Sequence, residues 1–158
     1  MSQSLLSKEL VEVAQARLDG SLHREANLRR ATSDLYYAMF HAICEALVEP
    51  FEVVPESEAY KSAMRSLYRT VEHGYVERRC RKIIEEGKFS SPLLDFAKLL
   101  VSLKNKREEA DYDPLETFAI REAKKDLQIT ETRLAAFWAA DPAERAAFAF
   151  ILGLRRGK

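Results

Sequence analysis

Hydrophobic positions recur at a helical spacing along most of the chain, most clearly in the stretch from Arg29 to Leu47. This stretch contains no Gly or Pro, and at ~100° per residue its apolar side chains cover more than half of a helix circumference. Its polar side chains are confined to one strip, formed by Asn27, Arg30, Asp34, His41 and Glu45. Because so wide an apolar surface needs cover on several sides, we predict a central helix over about 22–49.

Prolines and glycines separate the remaining periodic segments, as expected for helices divided by helix-breaking residues. We predict a first helix from Ser4 or Ser7 to about Asp19. Its inward-facing residues are expected to be Leu6, Leu10 and Val13. The β-branched patch at 51–55 is too short and isolated for a sheet, so we predict a loop there. We predict two further helices over about 57–73 and 76–86, interrupted at Gly74.

Three helix starts carry capping signals. Ser91-Pro92 places a capping residue before the proline favoured at the first helical position. The sequences 113–116 (DPLE) and 141–144 (DPAE) add a glutamate at the third position, as in a capping box. We therefore predict helices that start at Ser91 and at Leu115, the latter ending near Ala139, and a last helix from 142 to about 154.

Length and composition favour a single helical domain. The chain has 158 residues, of which 47% are hydrophobic and 32% are charged. These values are typical of one globular domain with one core. We predict an all-α fold over 1–158, an antiparallel up-and-down bundle of four to five main helices plus short helices.

Charge and targeting signals narrow the function classes. The formal net charge is zero, so any binding to nucleic acid has to come from local patches. One basic patch contains Arg78, Arg79, Arg81 and Lys82, interleaved with acids. No apolar run approaches ~18 residues, and the N-terminal sequence lacks a cleavage-site pattern. We expect a cytoplasmic protein that does not bind a membrane.

Metal and disulfide signals are weak. Cys44 and Cys80 lie on apolar helical stretches and are expected to be buried free thiols. Asp34, His41 and Glu45 share one helix face, but three ligands without a second helix make a poor metal site. We therefore expect no metal and no cofactor.

Arg107 is the most informative charged residue. The apolar stripe of Phe96, Leu100 and Leu103 continues at the same spacing to Arg107. A guanidinium does not lose its proton, so a side chain at this position needs an anion. Three anions are candidates to compensate its positive charge: Asp111 one turn later, Asp34 or Glu45 on the central helix, or a bound phosphate.

Two segments stand out in the sequence: 33–42 (SDLYYAMFHA) and, about seventy residues later, 107–114 (REEADYDP). Together they resemble motifs of the HEPN family (higher eukaryotes and prokaryotes nucleotide-binding domain). Small stand-alone prokaryotic members of the family carry a central S-R-x-Y-Y-A-M-F-H-A helix and a later R-x-x-A-D-Y segment. The resemblance implies a helical bundle, a homodimer with a cleft at its interface, and binding or cleavage of RNA. It also implies a role in a toxin–antitoxin or defence system, or as partner of a small nucleotidyltransferase.

The chain departs from the pattern of active family members at two places. Active ribonucleases of the family carry a histidine four to six residues after the arginine. At the corresponding positions after Arg107 this chain has Tyr112, Asp113 and Pro114, and no histidine. Asp34 also stands where an arginine is usual. Because tyrosine is a poor proton acceptor near pH 7, we expect RNA or nucleotide binding without efficient catalysis. The alternatives are a metal-independent ribonuclease toxin with an unorthodox site, and a structural partner of a nucleotidyltransferase.

The resemblance and the stripe together define the candidate site. The catalytic candidates of the ribonuclease alternative are Arg107, Asp111 and Tyr112. The expected ligand-binding residues are Arg107, Tyr112, Asp34, Tyr37, His41 and Arg30. His73, in the predicted turn before Gly74, is expected to close a helix at its C-terminus instead of taking part in the site.

Overall fold

The computed structural model describes residues 5–20, 24–51 and 57–155, and these residues form helices without a strand. The predicted all-α helical bundle is confirmed. The α-helices are α1 (Leu6–Asp19), α2 (Glu25–Val48), α3 (Glu58–Arg69), α4 (His73–Glu86), α5 (Ser91–Tyr112), α6 (Ile120–Ala139) and α7 (Pro142–Gly153), with a 3-10 turn at Glu49–Phe51. Within the described residues no helix has the length and apolarity to cross a membrane. The antiparallel direction and the single-domain assignment stay predictions.

α2 is the centre of the bundle. It packs against α1, α3, α5, α6 and α7, as its wide apolar surface predicts. Its fully buried side chains join an aromatic layer in which the rings of Phe96 and Phe137 stack at 4.3 Å. Each fully buried side chain of this size contributes about 1.5–3 kcal/mol of transfer free energy. The core therefore fixes the orientation of α2, on which most of the candidate site is built.

α1 is rotated relative to the prediction. Leu6 and Val13, predicted to face inward, are 43% and 44% exposed, whereas Leu10 packs against the core. Ser7 faces inward instead, because its backbone N–H and its hydroxyl both donate to the buried carboxylate of Glu45. The prediction for Leu6 and Val13 is wrong because α1 meets α2 through a second apolar stripe, formed by Val11, Ala14 and Leu18, which lies on the same side as Ser7. The alternative start at Ser4 lies outside the described residues.

α3 and α4 are divided differently from the prediction. α3 ends at Arg69, where the Thr70 hydroxyl donates to the Leu67 carbonyl at 2.7 Å. α4 then begins at His73, so Gly74 lies in its first turn and does not interrupt a helix. The predicted C-terminal role of His73 is wrong, since His73 opens α4. Of the predicted loop at 51–55, Phe51 belongs to the 3-10 turn, and the rest lies outside the described residues.

α6 begins at Ile120 and not at Leu115, so the predicted start of this helix is wrong. The Asp113 carboxylate does accept the N–H of Leu115, at 2.9 Å. However, two side chains of α2 bind the backbone that would form the first turn. The carboxylate of Glu25 accepts the N–H of Phe118 at 3.1 Å, and Arg29 donates to the carbonyl of Glu116. Residues 113–119 are therefore held as a non-helical connection, called here the 113–119 segment.

Candidate functional site

Arg107 lies near the C-terminal end of α5 and reaches α2. Its Nη2 donates a hydrogen bond to the Tyr37 hydroxyl at 2.9 Å, across 70 residues of sequence. Its Nε lies 3.0 Å from Oδ2 of Asp111, the first of the anions considered from the sequence. The side chain is 16% exposed, so the guanidinium sits at the edge of the bundle and not within it.

The Arg107–Asp111 pair is an ion pair without a hydrogen bond from Nε. The Nε atom is buried and has no hydrogen-bond partner, because the carboxylate oxygen lies away from the direction of the N–H. Burial lowers the pKa of Arg107, but Tyr37, Asp111 and Tyr112 raise it, and their combined effect is larger. The positive charge of Arg107 is therefore stabilised, but Asp111 does not fix the orientation of the guanidinium through a hydrogen bond from Nε.

Three tyrosine rings surround the guanidinium. Its Cζ atom lies 5.6, 5.4 and 5.7 Å from the ring centroids of Tyr36, Tyr37 and Tyr112. These distances are within the range of cation–π attraction. Tyr36 is fully buried, whereas Tyr112 is 73% exposed. The rings thus form a series from the core to the surface, with Arg107 beside all three.

A polar cleft of about 480 Å³ opens next to these groups. It lies between the N-terminal half of α2 and the C-terminal end of α5. Its lining residues are Ala26, Arg29, Arg30, Ser33, Tyr37, Ala110, Asp111 and Tyr112. The structure thus brings together Arg30, Tyr37, Asp111 and Tyr112 of the predicted site, with Arg107 joined to them through Tyr37.

Three predicted ligand-binding residues do not line the cleft: Arg107, which adjoins it through Tyr37, and Asp34 and His41, which are engaged elsewhere. Asp34 pairs with Arg17 of α1 at 2.8 Å. Burial raises the pKa of the Asp34 carboxyl, and the hydrogen bond from Arg17 partly offsets this effect. His41 places Nδ1 2.5 Å from the Tyr68 hydroxyl of α3, and burial lowers its pKa. Both side chains join helices around α2, and neither Asp34 nor Glu45 pairs with Arg107.

Arg29 is a site residue that the sequence does not reveal. Its guanidinium donates to the carbonyls of Ala110 at 2.9 Å, Asp113 at 2.8 Å and Glu116 at 2.5 Å. It also lies 5.1 Å from the ring of Phe118. A cation at the C-terminal end of a helix satisfies carbonyls that have no partner within the helix. Arg29 therefore fixes the end of α5, which carries Asp111 and Tyr112. A basic residue on α2 gives no signal of this role in the sequence.

His73 is a second neighbour of the site that the sequence does not place there. Its ring stacks on Phe40 at 3.9 Å, and Nδ1 lies 2.6 Å from the Tyr36 hydroxyl. Burial lowers the pKa of His73, and the charges of Arg107 and Lys104 lower it further. Its ring meets Tyr37 edge-on at 5.8 Å, and His73 does not belong to the cleft lining. The neutral imidazole is therefore close to Arg107 but is not a wall of the cleft.

Much of the other candidate chemistry is engaged in internal contacts, although in the basic patch the buried Nε of Arg79 has no hydrogen-bond partner. In the basic patch, Arg81 pairs with Glu77 at 2.9 Å and Lys82 with Glu86 at 3.8 Å, each one helical turn apart. Cys44 and Cys80 are buried free thiols, and burial raises the pKa of each to about 12. In the part of the chain that the structure describes, no three His, Cys, Asp or Glu side chains are grouped to hold a metal.

Comparison with known proteins gives no neighbour: no family model, no curated protein and no solved structure matches this chain. The geometry of the cleft and the resemblance of the two motif segments are therefore the basis for interpreting the site.

Proposed function

We propose that this chain is a HEPN-like helical protein that binds RNA or a nucleotide in the cleft beside Arg107, without efficient catalysis. One contact supports the proposal above all others. Tyr37, from the first motif segment, and Arg107, from the second, are hydrogen-bonded at 2.9 Å although they are 70 residues apart. The two segments that carry the resemblance thus meet at one cleft, where arginines and exposed aromatic rings suit a phosphate and a base.

The absence of a suitable base in the cleft favours binding over cleavage. Cleavage through a 2′-hydroxyl needs a group that takes up a proton near pH 7. Among the described residues that line the cleft no histidine is present. The nearby His73 contacts the ring of Tyr37 but does not belong to the lining. Asp111 is the alternative base, because its carboxylate is 29% exposed beside Arg107. This geometry keeps the metal-independent ribonuclease, with Asp111 and Tyr112 in the catalytic roles, as the second candidate.

The same face of α2 supports a homodimer. Beyond residue 30, the positions of α2 that are not buried are Asp34, Tyr37, His41 and Val48. They lie on one face at helical spacing, and Leu6 and Val13 of α1 are also exposed. We expect a two-fold contact on this face, burying about 1,600 Å² in total. Light scattering that gives only an 18.1 kDa species at micromolar concentration excludes the dimer.

The test is RNA binding and RNA cleavage measured in the same reaction. Arg107→Gln removes the charge but keeps a polar side chain. Arg133→Gln is the matched control, because Arg133 pairs with Asp95 at 3.1 Å and lies outside the cleft. We expect Arg107→Gln to weaken binding of a labelled single-stranded RNA about tenfold, because it removes a positive charge beside the cleft and the hydrogen bond that positions Tyr37.

Three outcomes separate the candidates. Equal loss of affinity in Arg107→Gln and Arg133→Gln refutes a specific site at the cleft. Cleavage by the wild type that disappears in Asp111→Asn identifies the ribonuclease. If neither binding nor cleavage is detected, and a purified nucleotidyltransferase forms a stable complex with the chain, the structural-partner alternative holds.

A further inference from the structure

The charged groups at the cleft leave room for one anion. Arg29 pairs with Glu25 at 3.2 Å, and Arg107 pairs with Asp111 at 3.0 Å. Arg30 is the remaining charged residue of the lining, and its side chain is exposed to solvent. Within the described residues Arg30 forms no ion pair, and the carboxylate whose pKa its charge affects, Asp34, is already paired with Arg17. The lining therefore carries about one positive charge without an ion-pair partner of its own. A run of several phosphates has no matching row of cations in this lining.

Neutral donors surround the same position. The Tyr37 hydroxyl accepts one hydrogen bond from Arg107 and keeps its own O–H to donate. The Ser33 side chain also belongs to the lining. Two hydroxyl groups and the guanidinium of Arg30 are a suitable donor set for the oxygens of a single phosphate.

The exposed ring of Tyr112 supplies a place for a base. It is 73% exposed and lies 5.7 Å from Cζ of Arg107, so one face of the ring is open beside the phosphate position. Stacking on an aromatic side chain requires a base that is free of its own partner strand. The volume of about 480 Å³ is that of a small-molecule pocket and is too small for a double helix.

From these observations we infer that the cleft takes one unpaired nucleotide, with a single phosphate at Arg30, Ser33 and Tyr37 and its base on Tyr112. The inference rests on the proposed function and narrows it to a ligand class. A free nucleoside monophosphate and an unpaired nucleotide of single-stranded RNA share this chemistry. Double-stranded RNA and polyphosphate-dependent ligands do not.

The experiment compares four probes on the full chain: AMP, ATP, a labelled single-stranded RNA and the same RNA as a duplex. We expect AMP and ATP to bind within about threefold of each other, because the added phosphates meet no further cation. The logarithm of the RNA affinity should fall against the logarithm of salt concentration with a slope of about −0.7, the value for one phosphate on a single strand. The duplex should bind at least about tenfold more weakly.

Variants test the stacking step. Tyr112→Ala should lower the affinity for single-stranded RNA about tenfold, and Tyr112→Phe should retain it, because stacking needs the ring and not the hydroxyl. Leu115→Ala is the matched control: Leu115 is 89% exposed on the adjoining segment and does not line the cleft. AMP that displaces the RNA supports a single-nucleotide cleft, and the ratio of the two affinities identifies which source the cleft prefers.

The results that overturn the inference differ from those that overturn the proposed function. A salt slope equal to several phosphates, much tighter binding of ATP than of AMP, or equal effects of Tyr112→Ala and Leu115→Ala rejects the single-nucleotide cleft. In those cases RNA or nucleotide binding itself still stands. Failure of the wild type to bind any of the four probes rejects both.

Discussion

Replacing Arg29 by methionine tests whether one side chain of α2 holds the end of α5. The guanidinium donates to four backbone carbonyls, that of Glu109 at 3.3 Å and, more closely, those of Ala110, Asp113 and Glu116 at 2.5–2.9 Å. It also faces the ring of Phe118 at 5.1 Å. Methionine keeps an unbranched stem and a similar helix propensity, so the change removes the donors and the charge while leaving α2 intact.

The expected cost is about 3 kcal/mol of unfolding free energy. A hydrogen bond from a charged donor contributes about 1.5–3 kcal/mol when its acceptor stays buried. In the variant the three closest carbonyls regain water to different degrees, since Ala110 is buried whereas Asp113 and Glu116 are exposed. The loss of each hydrogen bond therefore costs about 1 kcal/mol or less, and the loss of the cation–π contact costs about 0.5–1 kcal/mol more. For a domain of this size the melting temperature should fall by roughly 10 °C.

Urea denaturation and amide hydrogen exchange check this prediction. Arg30→Met is the matched control, because Arg30 is the next residue of the same helix and is exposed; its cost should stay below about 0.5 kcal/mol. The Phe118 amide, which donates to Glu25 at 3.1 Å, should exchange faster in Arg29→Met than in the wild type. If both variants lose the same stability and the exchange of Phe118 is unchanged, Arg29 does not hold the 113–119 segment.

Two further predictions concern the packing of α2. Burial raises the pKa of Glu45, so the folded protein binds a proton more readily than the unfolded chain does. The wild type should therefore gain stability relative to Glu45→Gln as the pH falls from about 7 toward the ordinary value of 4.5; urea titrations that give a difference independent of pH contradict this. A Cβ atom on Gly153 would lie 2.9 Å from Cδ2 of the buried Leu47, so Gly153→Ala should cost about 1 kcal/mol. Gly74→Ala, whose nearest contact is ordinary at 3.4 Å, should instead stabilise the fold by about 0.5 kcal/mol, and thermal melts that shift both variants in the same direction refute the pair.

The central helix was predictable because its pattern is wide and uninterrupted, whereas α1 offers two apolar faces at helical spacing. The predicted face holds Leu6, Leu10 and Val13, and the face that the structure buries holds Val11, Ala14 and Leu18. The buried face also carries Ser7, whose backbone N–H and hydroxyl both donate to the buried carboxylate of Glu45, which requires donors. That requirement exists only once α1 and α2 are placed side by side.

The start of α6 is a second feature that a local sequence signal does not determine, because contacts with another helix change it. The sequence from Asp113 onward has the residues of a capping box, and such a box stabilises a helix by about 1 kcal/mol. Arg29 and Glu25 compete for the same backbone groups from another helix and provide several hydrogen bonds instead. Local signals predict that a boundary exists near this point. The partner that moves the boundary to Ile120 is remote in sequence.

The residues of the candidate site also fall into those that the sequence indicates and those that only the tertiary structure reveals. Arg107 was predictable because a permanent charge on an apolar stripe is visible in a single helix, and its partner Asp111 lies one turn away. Arg29 and His73 were not, because each is ordinary on its own helix and gains its role from groups on a distant element. A sequence pattern thus indicates a residue whose type conflicts with its position on a helix. It does not indicate a residue whose role comes only from contacts with a distant part of the chain.

The position of the cleft on α2 explains why its groups are held in place before any ligand arrives. Tyr36 and Tyr37 are consecutive, so one ring is fixed in the core while the next reaches the cleft, and Arg107 lies against both. A side chain supported by packed helices keeps its geometry better than one on a loop. Arg29 extends that support to Tyr112 by fixing the end of α5. If a nucleotide binds as proposed, its binding free energy is therefore not spent on ordering the groups that these helices already hold.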